Sequence, residues 1–393
     1  MAVYQNEGKS WHFKRYPETT NRSLRSWSAA DELLMSHFEA LRQQPDFSPA
    51  DFGLVLYHDR FGFLSTVLHS WKPLCVVNYS SQDKAMRQNL TQNNLPLEDS
   101  RWINPLQVSD EASVPALALM KVPKSLELFE LYLRHAWLLS KGNPDFQVFA
   151  GFMTRHFTPQ MLKISARYFE HAEQSLAVKK ARVLKLKGPK PAEPELSEDA
   201  GMEALLKEIS WKLPAHLVQD KESIPLKQYY GVFSADAVDE ATALLIAHLE
   251  LKESDRTILD LACGNGVIAK AVTLLPSADR EVHALDDDFL ACASARLNLG
   301  EAAMVHHYDG LDMFPSDFFD VILTNPPAHL EHENNIEVSL SLFKQASKKL
   351  KSGGSLWVVA GTHLNYSTHL QQWFSCEVKA QTGGFELLVC TKK

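Results

Sequence analysis

Asn325, Pro326 and Pro327 stand directly after the apolar run FDVILT (319–324). Two prolines fix the backbone there, so a main-chain carbonyl and the Asn325 amide oxygen converge on one point. Two converging acceptors suit an exocyclic or amide NH2 group. A nitrogen held by its hydrogens is withdrawn from conjugation, and its lone pair aims at an electrophile. That is catalysis by positioning rather than by acid–base transfer. Sixty-five residues upstream lies Asp260-Leu261-Ala262-Cys263-Gly264-Asn265-Gly266, between a strand pattern and a helix pattern. Glycines in such a turn admit a close ligand, and the amides that open the helix favour polar groups. The dinucleotide fingerprint GxGxxG is not met, because Ala262 takes the first glycine position and Ile268 and Ala269 follow. An acidic strand end suits a ligand with a cationic or amine head instead.

Asp286-Asp287-Asp288 ends the next strand pattern, about twenty residues past the glycine loop. A carboxylate so placed accepts hydrogen bonds from both hydroxyls of a ribose, and Asp286 is the expected one. Asp288 is expected to cap the following helix. Asp309 could similarly face an adenine amine. His306 and His307 lack partners at ligand spacing, so no metal is expected.

These groups need a frame that brings strand ends together. Thr257–Leu261, Glu281–Leu285, Phe319–Thr324 and Ser355–Gly361 read as strands. Gly266–Leu275, Phe289–Leu299 and Val338–Leu350 read as helices. Strands alternating with helices of this length imply βαβ units, a parallel sheet and a doubly wound α/β fold, with ligands at the carboxyl edge. The first half resembles a worn copy of this plan. A shift of 204 positions sets Gly62 on Gly266, Leu56 on Asp260 and Lys121-Val122-Pro123 on Asn325-Pro326-Pro327. Two tandem Rossmann-like domains are expected, the N-terminal one degenerate because it lacks the acidic strand end and one glycine.

The halves also differ in charge. Residues 1–195 hold 24 Lys and Arg against 20 Asp and Glu, whereas residues 196–393 hold 16 against 28. Between them, KKARVLKLKGPKPAEPELSED (179–199) is basic and then proline-rich, with Pro189, Pro191 and Pro194 disfavouring helix and sheet. The expected division is residues 1–187, a linker at 188–200 and a second domain at 201–393. The overall balance of −8 does not favour a polyanionic partner, but the first half and this basic stretch could supply phosphate contacts through Lys179, Lys180 and Arg182.

Composition is that of a folded protein: 45% hydrophobic and 22% charged, which excludes disordered and fibrous classes. Five scattered cysteines without a CxxC pair suggest neither a disulfide framework nor structural zinc, and they fit a reducing compartment. Polar residues at 5–10 do not read as a secretion signal, and no apolar run reaches membrane-spanning length. A cytoplasmic monomer without a membrane partner is expected.

Together these residues resemble class I S-adenosylmethionine-dependent methyltransferases that act on planar NH2 groups. Gly231-Val232-Phe233-Ser234 followed by Asp239, together with Asn325-Pro326-Pro327-Ala328-His329, is similar to the ribosomal RNA guanine-N2 methyltransferases. Within them, Arg15-Tyr16-Pro17, Trp27-Ser28-Ala29-Ala30-Asp31-Glu32 and Val122-Pro123-Lys124-Ser125 resemble the large-subunit family. The resemblance spans nearly the whole chain and implies a C-terminal catalytic copy and an N-terminal copy that assists RNA binding. It implies that Asp260, Gly264 and Gly266 cradle the methionine end of the cofactor, Asp286 the ribose and Asp309 the adenine. Asn325 with Pro326 would hold the target guanine amine, and Phe233 would close over the site. By its own position after the corner, His329 could touch the target base or be a hydrogen-bonded structural residue.

Two positions depart from the family. Ala262 stands where its members usually carry Gly, and it is tolerated if its φ is negative. Ala328 stands where relatives carry an aromatic for the flipped base, a role Phe233 or Tyr230 could take. The implied activity is methyl transfer to the N2 amine of a guanosine in 23S ribosomal RNA. Alternatives are a small-subunit (16S) guanine-N2 enzyme, a protein-glutamine or DNA-adenine methyltransferase, and a non-catalytic RNA-binding or assembly protein.

Overall fold

A computed structural model describes the chain apart from residues 1, 7, 22, 49–51, 109–113, 193–196, 218–221, 235, 277–278, 328, 331–332 and 335, and the side chains of 329, 330, 333 and 334. It divides into two units, Met1–Leu205 and Leu206–Lys393.

The first unit opens with the hairpin β1 (Ala2–Asn6) and β2 (Lys9–Phe13). It continues through α1 (Ala29–Arg42), β3 (Leu54–Tyr57), α2 (Phe63–Val67), β4 (Leu74–Val76), α3 (Ser80–Gln92), β5 (Arg101–Ile103) and β6 (Leu117–Lys121). It ends with α4 (Leu126–Ser140), β7 (Gln147–Met153), α5 (Pro159–Tyr168), β8 (Phe169–Gln174) and β9 (Ala181–Pro189). Its seven-stranded sheet has the order β5-β4-β3-β6-β7-β9-β8. The strands β3 to β7 run parallel, while β8 and β9 form an antiparallel end.

The second unit begins with the hairpin β10 (Leu206–Lys212) and β11 (Ser223–Tyr229). There follow α6 (Glu240–Ala247), β12 (Thr257–Leu261), α7 (Val267–Leu274), β13 (Glu281–Asp286), α8 (Phe289–Leu299), β14 (Met304–His307) and β15 (Phe319–Thr324). A small hairpin, β16 (His329–Leu330) and β17 (Glu333–Asn334), precedes α9 (Glu337–Lys349), β18 (Leu350–Gly361), α10 (Tyr366–Leu370), β19 (Phe374–Thr382) and β20 (Phe385–Lys392). The order β14-β13-β12-β15-β18-β20-β19 repeats that of the first unit strand for strand.

The central strands are buried on both faces, which is why they read as continuous apolar runs rather than as alternation. Ile258 joins the core cluster of α6 and α7, whereas Leu259 and Leu261 join the cluster under α9 and α10. Each such fully buried aliphatic side chain contributes about 1.5–3 kcal/mol. Asp260 shares the face of Ile258 by the two-residue period and therefore lies under α7.

Four sequence expectations change here. Neither sheet is wholly parallel, because β18-β20-β19 and β7-β9-β8 are antiparallel meanders. Gly188 and Pro189, expected to begin a linker, close β9, and the Lys190 amide and carbonyl bond to Tyr168 and Trp137. Pro194 lies outside the described residues. Residues 197–205 stay with the first unit, where the buried Arg134 guanidinium donates to the Ser197 and Gly201 carbonyls at 2.7 Å. Finally, Cys376 and Cys390 are joined by a disulfide, because the β19–β20 register sets them opposite each other with Cα atoms 4.0 Å apart. Among the described residues, no helix is long and apolar enough to cross a membrane.

Candidate active site

The carboxyl edge of the second sheet gathers the glycine loop, the Asp286 turn and the Asn-Pro-Pro corner. Adjacent parallel pairing of β12 with β13 and β15 makes those three strand ends neighbours. Thr324 ties two of them by donating its hydroxyl to the Leu261 carbonyl at 2.7 Å.

In the glycine loop, Asp260 is buried, and its Oδ2 accepts the Ala269 amide of α7 at 2.8 Å. Its Oδ1 is buried without a hydrogen-bond partner among the described residues. Burial, then the charge of Asp286, pushes the Asp260 pKa up to about 7. An orphaned carboxylate oxygen in such surroundings is an attractor for a cationic or NH-bearing ligand. Gly264 has φ +54, and a Cβ there would meet no protein atom, so that face of the loop is open. Gly266, at φ +81, begins α7 with Ala295 and Leu299 packed against it. Ala262 also has positive φ, 59°, contrary to the condition on which its methyl was to be tolerated without strain. A left-handed alanine costs roughly 1–2 kcal/mol, held here by the buried strand on one side and the helix on the other.

Asp286 accepts the Gly264 amide through Oδ2 and the Asp288 amide through Oδ1, each at 2.9 Å, so it couples loop to strand end. Burial raises its pKa to about 6. Asp288 caps α8 by accepting the Leu290 and Ala291 amides, and burial raises it to about 7. Asp309 lies two residues past β14, the outer neighbour of β13. Burial also drives the Cys263 thiol well above its usual range, which makes it packing and not a nucleophile.

Asn325 is half-buried, and its Nδ2 donates to Asp239 Oδ1 at 3.2 Å and to Thr242 Oγ1 at 3.0 Å. A carboxylate can only accept, so it fixes which end of the amide faces it. Both NH2 hydrogens are engaged, and Oδ1 is the acceptor that remains to the site. Asp239 can serve because it N-caps α6, where it also accepts the Thr242 amide. Pro326 is buried, and the Pro327 carbonyl accepts the Ser339 hydroxyl of α9 at 2.6 Å. Ala328 lies outside the described residues, as does the side chain of His329, whose backbone opens β16.

Sequence reasoning missed Gln228, Asn265 and Thr242. Gln228 is fully buried on β11. Its Nε2 donates to the carbonyls of Val232, Phe233 and Ser234 at 3.0–3.4 Å, and its Oε1 accepts from Asn265 at 2.8 Å. Residues 228–234 thus form an arch over the Gln228 amide, tied to the glycine loop through Asn265, while Asp239 further along the chain holds Asn325. Phe233, 70% exposed, sits on it. No strand is read at residues 223–229 from the sequence, and a lone glutamine there gives no signal of this role; only its burial does.

Lys179, Lys180 and Arg182 belong to the first unit, where Lys179 pairs with Glu32 and Arg182 donates to Gln174. His306 bonds His283, and His307 bonds the Asp287 carbonyl. Among the described residues, no cluster of His, Cys, Asp or Glu is arranged to hold a metal.

Residues 1–190 match the family described as the RLMG N-terminal domain, and residues 223–389 match the methyltransferase small domain. The chain is 30% identical to Ribosomal RNA large subunit methyltransferase G of Shewanella baltica over 96% of both chains. It is 32% identical to the Streptomyces coelicolor protein of that name, over 96% of this chain and 97% of that one. A T. thermophilus 16S rRNA N2 methyltransferase, solved in complex with AdoMet and guanosine, shares the fold with a TM-score of 0.70 at 18% identity, covering 100% of this chain and 98% of that one. Fold and site therefore define a methyltransferase of Rossmann-like architecture. The chain belongs to the Ribosomal RNA large subunit methyltransferase G family.

Proposed function

We propose that this protein transfers the methyl group of S-adenosylmethionine to the N2 amine of a guanosine in 23S ribosomal RNA. The observation that carries the reading is the locked Asn325 amide, which presents Oδ1 as an acceptor at the strand edge beside a glycine loop with an orphaned buried carboxylate oxygen. When bound, the cofactor supplies an electrophilic methyl on a sulfonium.

The residues present fit that group. Asp260 and the open face at Gly264 suit its ammonium-bearing end, Asp286 retains lone pairs for ribose hydroxyls, and Asp309, two residues past β14, is proposed to meet the adenine. Phe233 on its arch closes the site. Asn325 Oδ1 and the Pro326 carbonyl accept the two hydrogens of the target amine and direct its lone pair at the methyl carbon. The amine is neutral and becomes more acidic as it gains the methyl, so its proton passes to solvent without a dedicated base. Asp239 and Thr242 are positioning residues that keep the Asn325 amide from turning over. His329 and Ala328, next in sequence after the corner, are proposed to contact the target base. The first unit, through Lys179, Lys180 and Arg182, assists RNA binding. The enzyme acts as a metal-free monomer in the cytoplasm, where its RNA is found.

The test is transfer of labelled methyl to deproteinised 23S RNA, 16S RNA, DNA and protein, followed by nucleoside mass analysis. N2-methylguanosine arising in 23S RNA supports the reading. Label in 16S RNA alone, or in protein alone, overturns it.

A further inference from the structure

We propose that Gln228 and Asn265 are positioning residues that couple filling of the glycine loop to closure of Phe233 over the cofactor, an assignment that rests on the function proposed above. The link is a relay of three amides with one direction. The Val267 amide, first in α7, donates to Asn265 Oδ1 at 3.2 Å, so the Asn265 NH2 faces Gln228 and donates to its Oε1 at 2.8 Å. The Gln228 NH2 is thereby turned to the Val232, Phe233 and Ser234 carbonyls, at 3.1, 3.4 and 3.0 Å. With a backbone donor at one end and backbone acceptors at the other, neither side chain can turn over without setting donor against donor. Two hydrogens serving three successive carbonyls bend the chain sharply, with Gly231 and Ser234 left-handed at φ 91° and 65°. Val232 is buried by this bend, whereas Phe233 is held out with 70% of its surface in water. An apolar ring kept in water by a rigid bend is presented to a group bound alongside. Asn265 stands between Gly264 and Gly266, so a ligand seated on that loop meets the other end of the relay.

The first unit supplies an internal control. There Asn89 accepts the Lys14 amide at 2.9 Å and donates to the carbonyls of Lys14 and Phe61 at 2.9 and 2.8 Å. In the second unit Asn298 accepts the Lys227 amide at 2.7 Å and donates to the carbonyls of Lys227 and Asn265, both at 2.8 Å. Because both units have this clamp, it belongs to the shared frame. It also sets the correspondence, in which Arg15 stands for Gln228 and Phe61 for Asn265. Arg15 carries no acceptor and Phe61 no hydrogen-bonding group, so no amide relay can form between them; the guanidinium lies 4.2 Å from the ring centroid instead. The frame stands without the relay. It occurs in the unit that has the open Gly264 and the orphaned Asp260 oxygen.

Calorimetric affinity for S-adenosylmethionine, and methyl transfer to RNA, should be measured on the full-length protein carrying Gln228→Met, Phe233→Ala or both. Gln228→Met removes donor and acceptor at similar volume and is expected to raise Kd and KM for the cofactor about tenfold, with KM for RNA within about twofold. Phe233→Ala should match it, and the double variant should be no more than about twofold worse than either, as for two residues acting through one contact. Asn265→Ala cuts the relay at its other end, guards against misfolding of the Gln228 variant, and should couple to Phe233→Ala in the same way. Hydrogen exchange in residues 230–234 should slow when cofactor binds the unaltered protein but not when it binds Gln228→Met. Asn89→Ala, which breaks the frame clamp of the first unit, should lower the thermal midpoint and leave Kd within about twofold. An unchanged Kd or equal slowing of exchange in Gln228→Met, or losses that multiply in the double variant, overturns the coupling while leaving the methyltransferase reading intact. Failure of the unaltered protein to bind the cofactor overturns both.

Discussion

The two units share a chain path and differ in what fills one loop. Both sheets have the same strand order, and both turns after the first parallel strand use left-handed residues at positions 204 apart, His58 and Ala262, then Gly62 and Gly266. Both also tie the end of the fourth parallel strand to the N-terminus of the helix that precedes the first, Lys121 to Asp31 of α1 and Asn325 to Asp239 and Thr242 of α6. Where the second unit has the open Gly264, the first has Arg60. Its buried guanidinium lies 3.9 Å over the Tyr79 ring and donates to the Ser81 hydroxyl. By the β3–β4 and β12–β13 registers, Leu56 stands for Asp260 and Val77 for Asp286. Packing alone keeps the frame; an enclosed side chain and two lost carboxylates are enough to remove the chemistry.

Breaking the Asn325 lock should give the largest effect. Asn325→Ala is expected to lower kcat by about a hundredfold or more, and Thr242→Val by about tenfold, each with cofactor affinity retained by calorimetry. A fall in cofactor affinity that matches the fall in kcat would place these residues at the cofactor instead.

The shared glycines sharpen the comparison next. A Cβ on Gly62 meets the Met86 Cα at 2.8 Å, a backbone atom, whereas on Gly266 it meets the end of Leu299 at 3.0 Å and Ala295 Cβ at 3.1 Å. Gly62→Ala should therefore lower the thermal midpoint more than Gly266→Ala, although both pay for positive φ. The reverse order would show that the first unit's loop gives way more easily than the catalytic one.

Acid and base should pull on the units in opposite senses. Burial raises Asp260, Asp286 and Asp288 to about 7, 6 and 7, so the folded second unit binds more protons than the unfolded chain. Its stability without cofactor falls as pH rises from about 4 to about 7. In the first unit burial lowers His135 to about 4, and stability is lost as pH falls from about 6.5 towards 4. Denaturant unfolding between pH 4.5 and 7.5 should show Asp260→Asn flattening the former slope and His135→Gln the latter. Parallel shifts from both variants would contradict the assignment.

The smallest effect concerns the strained alanine. Ala262→Gly relieves a left-handed side chain and should raise the thermal midpoint by a few degrees, or about 1 kcal/mol, whereas glycine at position 295 should lower it.

Much of the second sheet was legible because buried parallel strands and their helices have distinctive periods: Phe289–Leu299 and Phe319–Thr324 fall where apolar pattern and caps put them. The antiparallel meanders were less legible, since edge strands such as FEHAEQ and FSCEVKAQT are mostly exposed and polar. The chemistry-bearing triplet and glycine loop were visible as types and spacings. The Gln228 arch was not, because a glutamine acquires that role only when three carbonyls and Asn265 surround it in a dry interior.

By itself the sequence determined the α/β frame, the repeat at 204 positions and the charge contrast of the halves, all of which arise from local period and composition. Only the tertiary structure decided that Asn325 is locked by Asp239 and Thr242, that Ala262 is left-handed, and that Cys376 meets Cys390. Those depend on strand register and on which groups lose water together, and residues 86 or 14 apart carry no local trace of either.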